Sequence, residues 1–327
     1  MLNFIARRLI NMVVLLVVVS FVGFFIIQLP PGSILDVQLT RMRAMGGDIS
    51  RDQMKAMAER YGINEPFGTR YFKWVSRSLQ GDFGTSFATD QSVGERIWGR
   101  LSISLGLSLF ALLFTWLVSI PVGVYSATHR YTVPDYIVTF LQFIGLAIPG
   151  FLLALVMLII ATRYLNQQVG GLYSPEYIDA PMSLAKFRNL IEHVWIAVLV
   201  LAIGATAGLT RIMRANLLDV LNMQYIQTAR AKGLDEAIVI WKHAVRNAIH
   251  PLVASLGTLL PALVVGETLV AQVLSLPTIG PMYLDALRQQ DMYLAGTILV
   301  MLSALLLIGN LISDLLLAWV DPRVRLE

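Results

Sequence analysis

The sequence predicts an all-α, polytopic membrane protein with six transmembrane helices. Three observations predict it. Of the 327 residues, 56% are hydrophobic and 14% charged, and the mean hydropathy is +0.68, whereas a soluble domain carries about 25% charge. The apolar residues fall into uncharged runs, and a bilayer-spanning helix needs about 20 such residues. Apart from the long polar segment 36–100, whose ten Lys/Arg break the pattern because long segments translocate largely regardless of charge, Lys and Arg concentrate in alternate connections between those runs, as expected when basic loops stay inside. Zero Cys excludes disulfides, thiolate metal sites and cysteine nucleophiles. The net charge of +4 and pI of 9.4 are spread over loops with no basic face interleaved with aromatics. No nucleic-acid partner is implied; membrane lipid is.

The first span is the uncharged run Leu9–Leu35, preceded by Arg7 and Arg8. It exceeds a signal-peptide apolar region and no small-x-small cleavage site follows it, so residues 1–35 read as an N-terminal transmembrane helix. Residues 36–100 form the one sizeable polar segment, with ten Lys/Arg and eight Asp/Glu. They are too few for a substantial independent domain and read as an extracytoplasmic insert with short helices, including an amphipathic one over 52–61. Residues 101–327 hold the other five spans. Leu101–Thr128 is the second and contains Pro121; His129–Asp135 is a tight turn. Tyr136–Thr162 is the third, with Pro149-Gly150 inside it, and Arg163–His193 is a polar loop. Val194–Thr210 is the fourth, with only 17 uncharged residues. Leu252–Leu276 is the fifth, interrupted by Pro261 and Glu267. Pro277–Asp291 is a short outer loop, and Met292–Trp319 is the sixth span.

The loop 211–250 is the least lipid-like stretch of this five-helix core. It carries Arg211, Arg214, Arg230, Lys232, Lys242 and Arg246 against Asp219, Asp235 and Glu236. Good helix formers over 222–232 stop at Gly233, which costs roughly 1 kcal/mol in a helix interior. Leu234, Ala237, Ile238, Trp241, Val245 and Ala248 then recur at helical spacing. Asp235 and Glu236 stand where a helix start favours acids, and Lys242 and Arg246 where its end favours bases. Two short helices with a glycine joint are expected. Composition alone leaves them readable as an ordinary surface-lying pair.

The strings Ala229-Arg-Ala-Lys-Gly233-Leu and His243-Ala-Val-Arg-Asn-Ala-Ile-His-Pro-Leu resemble the cytoplasmic coupling loop of ABC importer permeases, closest to the oligopeptide, dipeptide and nickel branch. The general Glu-Ala-Ala-x3-Gly signature reads Gln227, Thr228, Ala229 and Gly233 here, without the leading Glu and with Pro251 further along. Gly81, Asp82, Gly84 and Ser86 are similar to a motif of that branch's outer insert. Asn310, Asp314, Asp321, Pro322, Arg323 and Arg325 are similar to its closing pattern. The resemblance implies a type I ABC importer permease fold. It implies that Tyr225, Ile226, Thr228, Ala229, Arg230, Ala231, Lys232, Gly233 and Leu234 dock on an ATPase, with the small residues facing its groove and Arg230 and Lys232 reaching acids on its rim. The implied partners are a second homologous permease, two cytoplasmic ATPases and an extracytoplasmic solute-binding protein, in a bacterial or archaeal inner membrane. ATP and Mg would sit on the ATPases and no cofactor on this chain. The cargo would be a peptide or similar solute, with oligosaccharides, opines or nickel chelates as alternatives.

No G-x4-GK-[ST] phosphate loop, HExxH metal site or G-x-S-x-G elbow occurs. His129, His193, His243 and His250 are too widely spaced to suggest a metal. No catalytic constellation is present, so the chain does not read as an enzyme. An ion-coupled secondary transporter would show an internal repeat and more intramembrane ionisable groups. Glu267 is the conspicuous one, and an acid inside a span is functional by default. It reads as lining the translocation pathway with Pro149 and Pro261, the competing reading being an acid close enough to the outer surface to reach water. Asp314, near the end of the sixth span, reads as structural.

Six spans put both termini on one side. Arg7, Arg8, Arg130, the six bases of 211–250, Arg323 and Arg325 then lie inside, against Arg163, Lys186, Arg188 and Arg288 in the two short outer loops. The orientation is N-in, C-in. A topology reporter inserted after Thr69 is expected to report the outside, and one at Asp235 or after Glu327 the cytoplasm. An external signal from Asp235 would reverse the assignment.

Overall fold

The computed structural model describes residues 2–27, 65–86, 88–89, 91–167 and 169–320. The helix expected over 52–61 and the closing residues 321–327 lie outside them. In chain order the helices are α1 (Leu2–Ile27), α2 (Phe67–Ser78), α3 (Val93–Thr128), α4 (Val133–Ala147), α5 (Gly150–Arg163), α6 (Leu184–Leu221) and α7 (Gln224–Ala231). Three consecutive pieces, Glu236–Ile238, Val239–Ala244 and Val245–Ala248, together form α8, its middle piece π-helical. Then come α9 (His250–Val273), α10 (Ile279–Arg288) and α11 (Met292–Val320). No strand occurs among the described residues.

Among the described residues four helices, within α1, α3, α6 and α11, are each long and apolar enough to cross a membrane. The count reaches six if two bent pairs are each one span. The third span, expected as one helix with Pro149 inside, is such a pair: α4 and α5 meet at 104°. Pro149 has no N–H, and it disfavours the helical region for Ile148, which lies at φ −84°, ψ 122°. The carbonyl of Pro149 then accepts from the N–H groups of Leu152 and Leu153 and starts α5. In α9 the segments either side of Leu259–Pro261 differ by 52°, the interruption expected from Pro261.

The fourth span is longer than its 17 uncharged residues suggest. α6 has 38 residues, about 57 Å at 1.5 Å per residue, against a hydrocarbon core of about 30 Å. Its charged ends therefore overhang, and the Ser183 hydroxyl caps its start by accepting from the Lys186 N–H. The polar loop after α5 accordingly ends at Ser183 rather than at His193, and the loop expected over Pro277–Asp291 is largely the helix α10.

The chain forms two compact units, one of Ile103–Gly280 with Leu306–Glu327, the other of Leu2–Ser102 with Pro281–Leu305. In the first, glycines set the helix spacing. A Cβ on Gly123 of α3 would lie 2.7 Å from the Met213 Cβ of α6, and one on Gly145 of α4 would lie 3.2 Å from Ile203 Cγ2. Such close approach is how helices pack where lipid gives no hydrophobic drive. α9 and α11 cross the same way: a Cβ on Gly257 would lie 2.7 Å from Asn310 Cα, and one on Gly309 2.9 Å from the Gly257 carbonyl. The Ser313 hydroxyl donates to the carbonyls of Val253 and Ala254 across this crossing.

The second unit explains the Gly81–Ser86 motif. Gly81 and Gly84 both have φ 83°, a conformation that glycine adopts without penalty. The Asp82 carboxylate accepts from the Gly84 N–H at 2.9 Å. Ser86, fully buried, donates to Asp291 at 2.5 Å and accepts from Arg96 at 3.0 Å. Asp291 in turn accepts from the Leu294 N–H at the start of α11. Nearby, Phe24 of α1 stacks on Trp74 of α2, and the Ser20 and Tyr71 hydroxyls share a 2.7 Å hydrogen bond.

An ion pair between a buried carboxylate and a partly exposed guanidinium ties α3, α4 and α6 together in the first unit. Arg214 of α6 donates through Nε and Nη2 to the two oxygens of Asp135 on α4, at 3.0 and 2.9 Å. Ser126 of α3 and the Tyr131 N–H also donate to Asp135, which is 2% exposed. Breaking a buried pair strands a charge and costs about 3–5 kcal/mol, whereas removing both charges is far cheaper. Thermal unfolding in detergent should therefore show Arg214→Ala strongly destabilised, with Asp135→Asn/Arg214→Gln recovering much of the loss. Equal losses would show that the pair carries little of the unit's stability.

Candidate functional site

The expected coupling segment is two helical pieces around a glycine joint. α6 ends at Leu221; Asn222 and Met223 intervene before α7 begins at Gln224, and its N–H groups at Ile226 and Gln227 bond back to the Met223 carbonyl. Gly233 has φ 72°, and no neighbouring atom stands within 4 Å of the place a Cβ would take. Its backbone angle, not space, therefore selects glycine. Asp235 then caps α8 by accepting from the Ala237 N–H at 2.9 Å.

Two side-chain clasps close the joint. Tyr225 accepts from Asn247 Nδ2 at 2.6 Å. Arg230 donates to both oxygens of Glu236, through Nη2 at 2.6 Å and Nε at 3.1 Å. The hydrogen bonds from Arg230 hold the Glu236 carboxyl below the usual carboxylate range. The clasp is therefore complete at neutral pH and weakens as pH falls through the Glu236 titration. It is exposed, so it contributes little to global stability; what it restrains is the angle between α7 and α8.

The structure sorts the predicted docking residues into two faces. Ile226 is fully buried and Ala229 is 8% exposed; both pack with Leu217, Val239, Ala244 and Val245. Ala229 is small because the chain's own helices approach it, which corrects the expectation that it faces outward. Arg230 is likewise committed to Glu236 and is not a spare rim charge. Tyr225, Thr228, Ala231, Lys232, Gly233 and Leu234 are exposed.

The residues expected in a pathway are distributed along α9 and its neighbour. Glu267 is 1% exposed and accepts from the Ser104 hydroxyl of α3 at 2.5 Å; that hydroxyl accepts from the Ile279 N–H at 2.9 Å. Pro149 makes the α4–α5 bend, and a Cβ on the adjacent Gly150 would lie 3.6 Å from Val270 Cγ2, one turn beyond Glu267. Pro261 lies at the separate bend within α9. Sequence reasoning missed the Asp135–Arg214 pair, the Tyr225–Asn247 and Arg230–Glu236 clasps and the π turn at 239–244. Only the acid at the very start of an apolar run, Asp135, left a readable signal.

The sequence matches two family models: binding-protein-dependent transport system inner membrane component over residues 119–326, and the N-terminal component of such membrane proteins over residues 1–108. It is 36% identical to the oligopeptide transport system permease protein AppB of Bacillus subtilis, over 98% of this chain and 99% of that protein. It is 29% identical to the oligopeptide permease OppB of Haemophilus influenzae, over 99% and 100% of the two chains. It is 28% identical to the dipeptide permease DppB of Alkalihalophilus pseudofirmus, over 99% and 100%. Among solved structures, a chain of the inward-facing MetNI methionine ABC transporter shares the fold with a TM-score of 0.51 and 21% identity, over 67% of this chain and 93% of that one. The chain belongs to the family of binding-protein-dependent transport system inner membrane components and is a multi-pass inner-membrane protein of the type I ABC importer permease fold.

Proposed function

We propose that the chain is one of two permease subunits of an ATP-driven peptide importer, supplying half of the translocation pathway. The observation that carries this reading is α7: a short helix at the end of a long apolar helix, braced from behind by Ile226 and Ala229 and exposed in front. The names of the oligopeptide and dipeptide relatives support peptides over oligosaccharides, opines or nickel chelates.

In this reading both termini are cytoplasmic, residues 36–100 face outside, and residues 101–327 form the permease core. A second homologous permease completes the pathway. Two ATPases bind ATP and Mg below, and an extracytoplasmic binding protein delivers cargo. α7 sits in an ATPase groove with Thr228 and Ala231 on the docking face and Tyr225, Lys232 and Leu234 at its edges. Closure of the ATPases moves α7, and the permeases pass between inward-facing and outward-facing states by rigid-body motion. The clasped joint carries that motion into α8 and α9, where Pro261 and Pro149 mark the bends and Glu267 borders the pathway.

Two outcomes test this. The purified chain is expected to show no ATP turnover until ATPase subunits are added; turnover by the chain alone would reject the subunit assignment. In reconstituted vesicles, Thr228→Glu or Ala231→Glu should leave folding and cargo capture intact while ATPase stimulation and uptake fall about tenfold or more, as for a loss of ~1.4 kcal/mol of docking energy. Gly233→Pro, incompatible with φ 72°, should uncouple ATP turnover from uptake in assembled complexes. Ala229→Glu should instead lower thermal stability. Normal transport by Thr228→Glu, Ala231→Glu and Gly233→Pro together would remove α7 from the coupling role.

A further inference from the structure

Gly233 is the turning point of the loop between α6 and α9. From it α8 runs back and meets α9 with only Ile249 between them. Its last two pieces share a buried cluster with Met213, Leu217 and Val220 on the closing turns of α6, a helix long and apolar enough to cross a membrane. The charges of α6 set the level. Seventeen uncharged residues end at Thr210, and Arg211 and Arg214 follow. Met213 and Leu217 stand about 5 and 11 Å past Thr210 at 1.5 Å per residue, and a headgroup layer is about 5–8 Å thick. α8 therefore crosses the end of α6 where hydrocarbon gives way to headgroups and water. The turn between α3 and α4 carries the same mark: Tyr131 and Tyr136 are exposed beside the exposed Arg130, and Asp135 between them holds Arg214. Exposed aromatics near bases are the mark of a membrane–water boundary.

Among the described residues α8 keeps one face uncovered. Ile238 is 45% and Trp241 53% exposed, with Lys242 and Arg246 open beside them, while Val239, Ala244, Val245 and Ala248 are buried behind. The π turn aligns this face. At 3.6 residues per turn, residues four apart drift about 40° around the axis; the wider turn over Val239–Ala244 reduces the drift and keeps Ile238, Lys242 and Arg246 in one row. The nearest acids in sequence are engaged elsewhere, Asp235 in capping α8 and Glu236 with Arg230. Neither Lys242 nor Arg246 has an acidic partner among the described residues. An apolar row edged by unneutralised bases, on a helix at the end of a span, is the pattern of an interfacial helix. Ile226 and Ala229 of α7 pack with Val239 and Ala244 on the buried side of α8. The open face thus points away from α7 and from an ATPase seated on it.

We propose that this face of α8 rests on the membrane surface and binds anionic phospholipid headgroups. Ile238 and Trp241 enter the boundary between headgroups and acyl chains, and Lys242 and Arg246 contact headgroup phosphates. The proposal goes beyond the importer reading and holds whatever the cargo.

The chain has no cysteine, so an introduced one is a unique labelling site. The full chain with Ile238→Cys, carrying a fluorophore, is placed in phosphatidylcholine vesicles, first alone and then assembled with its partner subunits. Phosphatidylglycerol or phosphatidylcholine bearing a nitroxide near its ester carbonyls is titrated in, and quenching is read. Both lipids are expected to quench, with phosphatidylglycerol preferred about twenty-five-fold, two bases contributing about fivefold each (~1 kcal/mol). Lys242→Gln/Arg246→Gln should bring the preference close to parity while quenching by phosphatidylcholine persists. A label that neither lipid reaches would overturn the proposal, as would equal quenching by the two lipids or a preference that survives the double substitution. Quenching that disappears when the ATPases join would assign the face to them and overturn it as well. If Ile238→Cys does not assemble, the same titration on Trp241→Cys decides. No cargo is needed, so a failed peptide assignment and a failed lipid contact are read separately.

Discussion

A carboxylate buried among helices must be paired, and the pairing of Asp135 with Arg214 is the constraint on which the first unit depends. The bidentate geometry fixes both distance and orientation, and it joins three elements: the end of α3 through Ser126, the start of α4, and α6 above the point where it leads into α7. Below the pair, Met213 and Leu217 continue into the cluster that buries Ile226 and Ala229. Above it, Gly145 brings α4 against Ile203. A displacement applied at α7 therefore meets a stem whose three helices are pinned at one level. Such pairs are weak contributors to net stability, because desolvating two charges offsets most of their attraction. Their value here lies in register: an apolar contact at this level would let α4 and α6 slide, and a bidentate pair does not.

Much of the fold was legible in the sequence because lipid enforces a simple rule. Each spanning backbone must satisfy its own hydrogen bonds, so apolar runs mark helices. That rule located α1, α3, α9 and α11, although α3 starts at Val93, eight residues before the uncharged run. It failed where it was applied too literally. Counting uncharged residues shortened α6, since helices longer than the hydrocarbon carry their charges on the overhang. It also merged α4 with α5, since a run's composition is blind to the direction change that Pro149 imposes. α10 was read as a loop because its ten residues are too few to span and too amphipathic to register as an apolar run.

The candidate site was legible in position but not in orientation. Gly233, Asp235 and Glu236 announced a joint followed by a helix start, and the structure has both. Which face of α7 turns inward depends on where α8 returns, and that is set by long-range contacts: Tyr225 with Asn247, and Ile226 and Ala229 with Val239 and Ala244. No spacing rule reports those contacts. Ala229 shows the consequence. A small residue in a short helix fits a close approach equally well against a partner or against its own chain, and only the fold decides which.

Several polar groups on the long helices bridge elements that are far apart in the chain. Ser313 donates to two carbonyls at the α9–α11 crossing, Ser104 joins Glu267 to the Ile279 backbone, and Asp135 takes four donors. Each joins elements distant in sequence, which is how polar residues hold helices together where packing alone is weak.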